Sequence, residues 1–190
     1  MKKIFCFFRK NTLLKGSIII FIGSIITNLG TYLFHLSMGR MLGPANYGIL
    51  ESLISLSYFL GIPMGVLGLI VVKYISQENK NKEKISLFVR KLFLKMSLYG
   101  FWVLLAFLLS FPILKNLLKI NSFFLFFGLG VASYLSIYLT IFSSALQGIM
   151  RFTELSFFSI FTSWSKLIVA VVLVLAGLKV EGAIYAMVLS

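Results

Sequence analysis

A single cysteine, Cys6, leaves the chain no intrachain disulfide and no cysteine-cluster metal site. Set among basic residues, it reads as a buried or interfacial thiol, with lipidation as the alternative. Charge is scarce, at 12% of 190 residues, and acidic charge scarcer, at five Asp and Glu against 18 Lys and Arg. Soluble domains carry about a quarter charged residues, so a chain 59% hydrophobic with a mean hydropathy of +1.01 is excluded from that class. Chemistry-bearing motifs are missing as well. No nucleophile elbow, paired carboxylates, HExxH, P-loop or Rossmann pattern occurs. The expectation is therefore a protein that is not an enzyme and uses no cofactor or metal.

What is present is a series of apolar runs, each near the ~20 residues that cross ~30 Å of hydrocarbon at ~1.5 Å per residue. The fold expected is an all-α polytopic membrane bundle, with spans at about 17–42, 47–72, 96–114, 122–146 and 155–177 and a partial sixth at 182–190. A nine-residue stub is too short to cross, which leads us to expect the N-terminal part of something longer or a truncated product. Residues 1–16 form a basic N-terminal segment that resembles the start of a signal peptide. The apolar run behind it is too long for one and has no small-residue cleavage site, so it reads as a retained first helix.

Basic residues border the spans, and no basic face interleaved with aromatics suggests nucleic acid. Segment 1–15 holds five Lys and Arg, segment 73–95 seven, and Arg151 follows span four. The alternate loops hold Arg40, then Lys115 and Lys119, then Lys179. By the positive-inside rule the N-terminus lies in the cytoplasm. In span two the run GIPMGVLGL places Pro63 among Gly61, Gly65 and Gly68. This reads as a kink packed against a neighbour or as a hinge.

Three spans each carry a polar stripe at helical spacing. They are Ser17, Ser24, Asn28, Thr31 and His35 in the first, Ser133, Ser136, Thr140, Ser143 and Gln147 in the fourth, and Ser156, Ser159, Ser163 and Lys166 in the fifth. Such groups gain nothing from lipid, so the stripes should face one another or a wet cavity; hydroxyls bonded to their own helix are the plainer account of any single residue. His35 reads as a packing residue before a proton relay, because no acid or second histidine stands at ligand spacing. Arg40 reads as snorkelling to the headgroups before facing a cavity. Lys166 stands near mid-span, farther from water than its side chain reaches. It is either neutral, or paired with an acid elsewhere, or a contact for an anionic substrate. The candidate substrate-binding set is Lys166, Arg40, Asn28, His35, Ser163 and Gln147.

At residues 39–50 the string GRMLGPANYGIL, with Arg40, Gly43, Pro44, Tyr47 and Gly48, resembles the signature after the first helix of the polysaccharide-biosynthesis, or oligosaccharide flippase, family. That family belongs to the multidrug-oligosaccharidyl-lipid-polysaccharide exporter superfamily. VVKYISQ at 71–77, LQGIMRF at 146–152 and EGAIYAMVLS at 181–190 are similar to the family in the same order. The resemblance implies about one lobe of a two-lobe flippase in a bacterial or archaeal cytoplasmic membrane. It implies as substrate an undecaprenyl-pyrophosphate-linked glycan, exported for O-antigen, lipopolysaccharide, capsule or exopolysaccharide, with a polysaccharide polymerase and glycosyltransferases as possible partners. The alternatives are a multidrug or cation antiporter of the same superfamily and an inactive truncated membrane fragment. An antiporter should hold acids at mid-membrane, whereas Glu51, Glu154 and Glu181 fall at span ends and Glu78 and Glu83 in a loop.

Overall fold

Every element of the computed structural model, which describes residues 12–78, 82–118 and 123–189, is helical. The helices are α1 (Thr12–Gln77), α2 (Lys82–Leu109), α3 (Phe111–Leu118), α4 (Phe123–Gly148), α5 (Phe152–Leu173) and, after a π-helical turn at Val174–Leu178, α6 (Lys179–Leu189). The basic segment through Asn11 with Cys6, together with Lys80, Lys119 and Ser190, lies outside the described residues.

Four helical runs are long and apolar enough to cross a membrane: Leu14–Gln77, Glu83–Leu109, Phe123–Gly148 and Phe152–Leu189. The five full spans and the stub that were expected are thus joined into four continuous runs, two of which bend back on themselves. The first, at 64 residues, would reach ~95 Å if straight. It is not straight. Gly43, at φ 73 and ψ 169, is its one non-helical residue. His35 and Glu51 should stand ~24 Å apart on a continuous helix, yet their side chains meet at 2.7 Å. Residues 12–42 and 44–77 are therefore two arms of a helical hairpin. Glycine takes the left-handed φ at the end of one arm, and Pro44 opens the next at the position where a missing N–H costs nothing. The second reversal follows α5, where Gly177 (φ 95) and Lys179 (φ 43) turn the chain. There α6 packs back so tightly that a Cβ on Gly182 would sit 2.9 Å from Leu173 Cβ.

Three boundaries differ from expectation. The basic stretch 73–95 is mostly helix rather than loop, because α1 continues to Gln77 and α2 starts at Lys82. Lys and Arg are good helix formers, and a helix can leave the bilayer without ending. Span three, expected at 96–114, breaks at Ser110, and span five ends as an α-helix at Leu173 rather than at 177. Pro63 makes no break in the backbone: helical φ/ψ run through it. Gly61 and Gly65 face open space, and only Gly68 serves a close approach, to Ser144 Oγ of α4.

The apolar core gathers near the Gly43 turn, where Phe34, Met38, Leu50 and Leu53 of both α1 arms meet Phe126 and Leu129 of α4 and Ile184 of α6. Phe107, Phe111 and Phe126 add a run of ring contacts with centroids 5.2–5.9 Å apart. Away from this end, α1 and α5 approach along small residues. Cβ atoms on Gly16, Gly23 and Gly30, spaced by seven, would collide with Phe152, Ser156 and Ser163. Without side chains on that stripe the helices come close enough for hydrogen bonds across the seam. Ser156 Oγ donates to Ile19 O (3.3 Å), Ser163 Oγ to Thr27 O (2.9 Å) and Trp164 Nε1 to Ile26 O (3.3 Å).

Candidate functional site

Alongside that seam the polar stripes of α1, α4 and α5 converge on two adjoining clefts. One, of about 440 Å³, is lined by Thr27, Thr31, Ser136, Thr140, Ser143, Ser159, Thr162, Ser163 and Lys166 with Leu139 and Phe158. The other, of about 290 Å³, is lined by Ser24, Thr27, Asn28, Ser143, Gln147, Ser156 and Ser159 with Ile20, Gly23 and Leu155. Thr27, Ser143 and Ser159 border both, so the two form one trough. Lys166 stands toward one end and the amides of Asn28 and Gln147 toward the other.

The hydroxyls of this trough have mostly spent their protons. Ser136 donates to Ser133 O (2.7 Å), Thr140 to Ser136 O (2.8 Å), Ser143 to Thr140 O (3.1 Å), Ser159 to Leu155 O (3.0 Å) and Thr162 to Ser159 O (3.0 Å). Each hydroxyl holds one proton and two acceptor lone pairs. What remains for the cleft is acceptor oxygen. The stripes thus satisfy their own backbone and line a cavity at once, the two alternatives that the spacing left open. Thr27, in the trough, and Ser133, of the α4 stripe but outside both clefts, are the exceptions: their hydroxyls are buried with no hydrogen-bond partner among the described residues.

Lys166 supplies the trough's cation. Its Nζ lies 4.6 Å from the centre of the Phe34 ring, a cation–π contact worth ~0.5–2 kcal/mol. No ion pair engages it among the described residues, where Glu51 pairs with His35, Glu78 with Lys84 and Glu154 with Arg151. No carboxylate lines either cleft.

Of the six candidate residues, the trough brings together Lys166, Ser163, Asn28 and Gln147. It leaves out the other two. Arg40 is exposed and outside both clefts. His35 is engaged elsewhere: its Nδ1 lies 2.7 Å from Glu51 Oε1 and 3.2 Å from the Tyr47 hydroxyl, with the His35 and Tyr47 rings edge to face. The acid that the sequence denied to His35 is thus supplied by the fold. The signal was there, since His35 and Glu51 stand eight residues either side of Gly43, and a hairpin pairs positions equidistant from its turn. Thr27 and Phe34 were also missed. Thr27 sits beside Asn28 in sequence and shares its cleft, whereas nothing in the sequence links Phe34 to Lys166. Among the described residues no three His, Cys, Asp or Glu side chains gather as a metal site requires. Compared with known proteins, the chain matches no family model, no curated protein and no solved structure.

Proposed function

We propose that this chain lines a membrane pathway for polyprenyl-pyrophosphate-linked oligosaccharides, carried from the inner to the outer leaflet for surface polysaccharide assembly, as the oligosaccharide flippase family does. The observation that carries the reading is the chemistry of the trough. Acceptor oxygens along three helices suit the many donor hydroxyls of a glycan, and a lone lysine suits an anionic phosphate or acidic sugar as a point charge. The lipid tail stays in the bilayer while the headgroup crosses, and alternating access follows when a facing lobe rocks over the trough. With the N-terminus cytoplasmic, as the basic loops favour, each negative charge carried outward across an inside-negative potential is favoured by about 2.3 kcal/mol per 100 mV.

The test is glycan export in cells that depend on this protein. Lys166→Ala should lower export at least tenfold with membrane insertion intact, Lys166→Arg should keep part of it, and Lys166→Glu should abolish it by repelling the anion. Full export by a stably inserted Lys166→Glu protein would remove the role.

A second reading, a cation antiporter of the same superfamily, draws on one observation. Glu51 is half-buried and bonded to His35 beside Tyr47, a cluster able to take up a proton or a cation. Under it, Glu51→Gln should stop efflux of cationic dyes and leave surface glycan unchanged. Under the flippase reading, surface glycan falls and dye efflux does not depend on the protein.

A further inference from the structure

At the membrane face where α1 ends and α2 begins, the chain exposes cations that nothing in the trough uses. Lys73 on α1 and Arg90, Lys91 and Lys95 on α2 are all exposed, and no ion pair engages any of them among the described residues. Their height is fixed by packing. Tyr74 stacks on Phe88 with ring centroids 3.9 Å apart, which sets Lys73, one residue before Tyr74, level with the first turn after Phe88. From Arg90 to Lys95 is five residues, or ~7.5 Å of helix. A headgroup layer is ~5–8 Å thick on each side of the hydrocarbon. The axial spread of the cations matches the thickness of one such layer.

The three on α2 also flank a stripe of exposed leucine. At ~100° per residue Leu94 and Leu98 lie within ~40° of each other on α2, with Arg90 to one side and Lys91 and Lys95 to the other. Farther along the same face come Phe101 and Trp102, both exposed. Of the long helices, α2 rests chiefly on α4, so this face looks away from the bundle. A partner here must offer phosphate or carboxylate at the level of Arg90 to Lys95 and hydrocarbon immediately beside it. A soluble polyanion or an acidic protein offers the charge without the hydrocarbon. An anionic phospholipid offers both in one molecule.

We propose that this leucine face, with its three flanking cations and Lys73 level with them, is a binding site for anionic phospholipids, which it gathers from the surrounding leaflet through their headgroup phosphates. The site rests on the membrane reading alone and not on the identity of any transported substrate. Arginine and lysine reach such phosphates by lying their stems along the acyl chains and turning their heads outward, and the attraction falls off within a Debye length.

The experiment uses the whole chain, purified and placed in nanodiscs of equal parts phosphatidylglycerol and phosphatidylcholine, with the lipids retained by the protein counted by native mass spectrometry after release. Phosphatidylglycerol should be enriched roughly fivefold over phosphatidylcholine at 50 mM salt and lose most of that enrichment at 500 mM. The R90Q/K91Q/K95Q variant should retain the two lipids equally. K91R/K95R should keep the enrichment, and K115Q, on α3, should leave it unchanged. The four cations are exposed and Gln is a good helix former, so the triple variant should fold; the salt series on the unaltered chain stands independently of it. Equal retention by the unaltered chain, undiminished enrichment in the triple variant, or displacement of the lipid by 10 mM inorganic phosphate at constant ionic strength would each overturn the proposal. The last outcome would mark a site for a free anion instead.

Discussion

Two polar places in this bundle handle charge in opposite ways. Near the Gly43 turn, His35, Glu51 and Tyr47 satisfy one another at 2.7 and 3.2 Å, with the ring edge of Phe34 packed alongside His35. In the trough, Lys166 has an aromatic face but no counter-ion among the described residues, and the oxygens around it have already given their protons away. The first is a closed account of hydrogen bonds that ties two helical arms together. The second leaves unmet capacity on both sides, a cation and a row of acceptors, that only another molecule can use. A charge kept for structure should cost stability when it is removed; a charge kept for a ligand should cost function and release stability.

The sharpest way to break this contrast is to remove both charges and compare signs. Lys166→Met keeps the length of the side chain and discards the ammonium. It should lower glycan export at least tenfold while raising stability by ~1–3 kcal/mol, since an uncompensated cation within a span costs ~2.5–3.5 kcal/mol and the lost cation–π contact returns only part. Glu51→Ala should move stability the other way by ~1–3 kcal/mol, because His35 and Tyr47 lose their acceptor. Both are read from thermal unfolding in detergent. If Lys166→Met destabilises as Glu51→Ala does, then Lys166 is a structural residue and the contrast fails.

A somewhat smaller effect should come from closing the seam that aligns the trough. Gly30→Ala puts a Cβ 2.8 Å from Ser163 Oγ and 3.3 Å from the Trp164 ring. Overpacking of this kind costs ~1–3 kcal/mol, and the shift of α1 against α5 should break the Ser163 bond to Thr27 O. Gly65→Ala, which faces open space in the second arm, is the control. It should leave stability unchanged or slightly improved, as alanine is the better helix former.

How much of this was legible in the sequence depends on whether the signal was local. The hydroxyl stripes were legible because a 3.6-residue period survives any arrangement of the helices, and their convergence on one trough followed from the cost of polar groups in lipid. Gly43 and Pro44 announced a turn for the same local reason. The His35–Glu51 pair was legible only through that turn: spacing along one helix keeps the two residues apart, and they meet once positions equidistant from Gly43 are paired across a hairpin. The helical course of 82–95 was hidden by its charge: hydropathy reads apolarity and is blind to whether a polar stretch is helical. Pro63 misled in the opposite direction. A proline removes one hydrogen bond wherever it sits, but here the helical dihedrals pass through it unbroken.

The smallest effect tests the claim about acceptors. Ser159 borders both clefts, and its hydroxyl donates to Leu155 O at 3.0 Å within its own helix. A serine bonded back to its own helix adds little to stability and can slightly weaken the helix, so Ser159→Ala should change stability by less than ~0.5 kcal/mol. Its lone pairs are a different matter. If the trough recognises a glycan through donated hydroxyl protons, losing one acceptor removes one neutral hydrogen bond, and export should fall by roughly threefold to tenfold. Ser159→Cys keeps the size and offers a much weaker acceptor, so it should resemble alanine in export. Ser159→Thr keeps the hydroxyl and should resemble the unaltered chain. An export rate that ignores all three substitutions would mean that the oxygens serve their own helices alone, and the recognition assigned to the trough would shrink to Lys166 and the amides of Asn28 and Gln147.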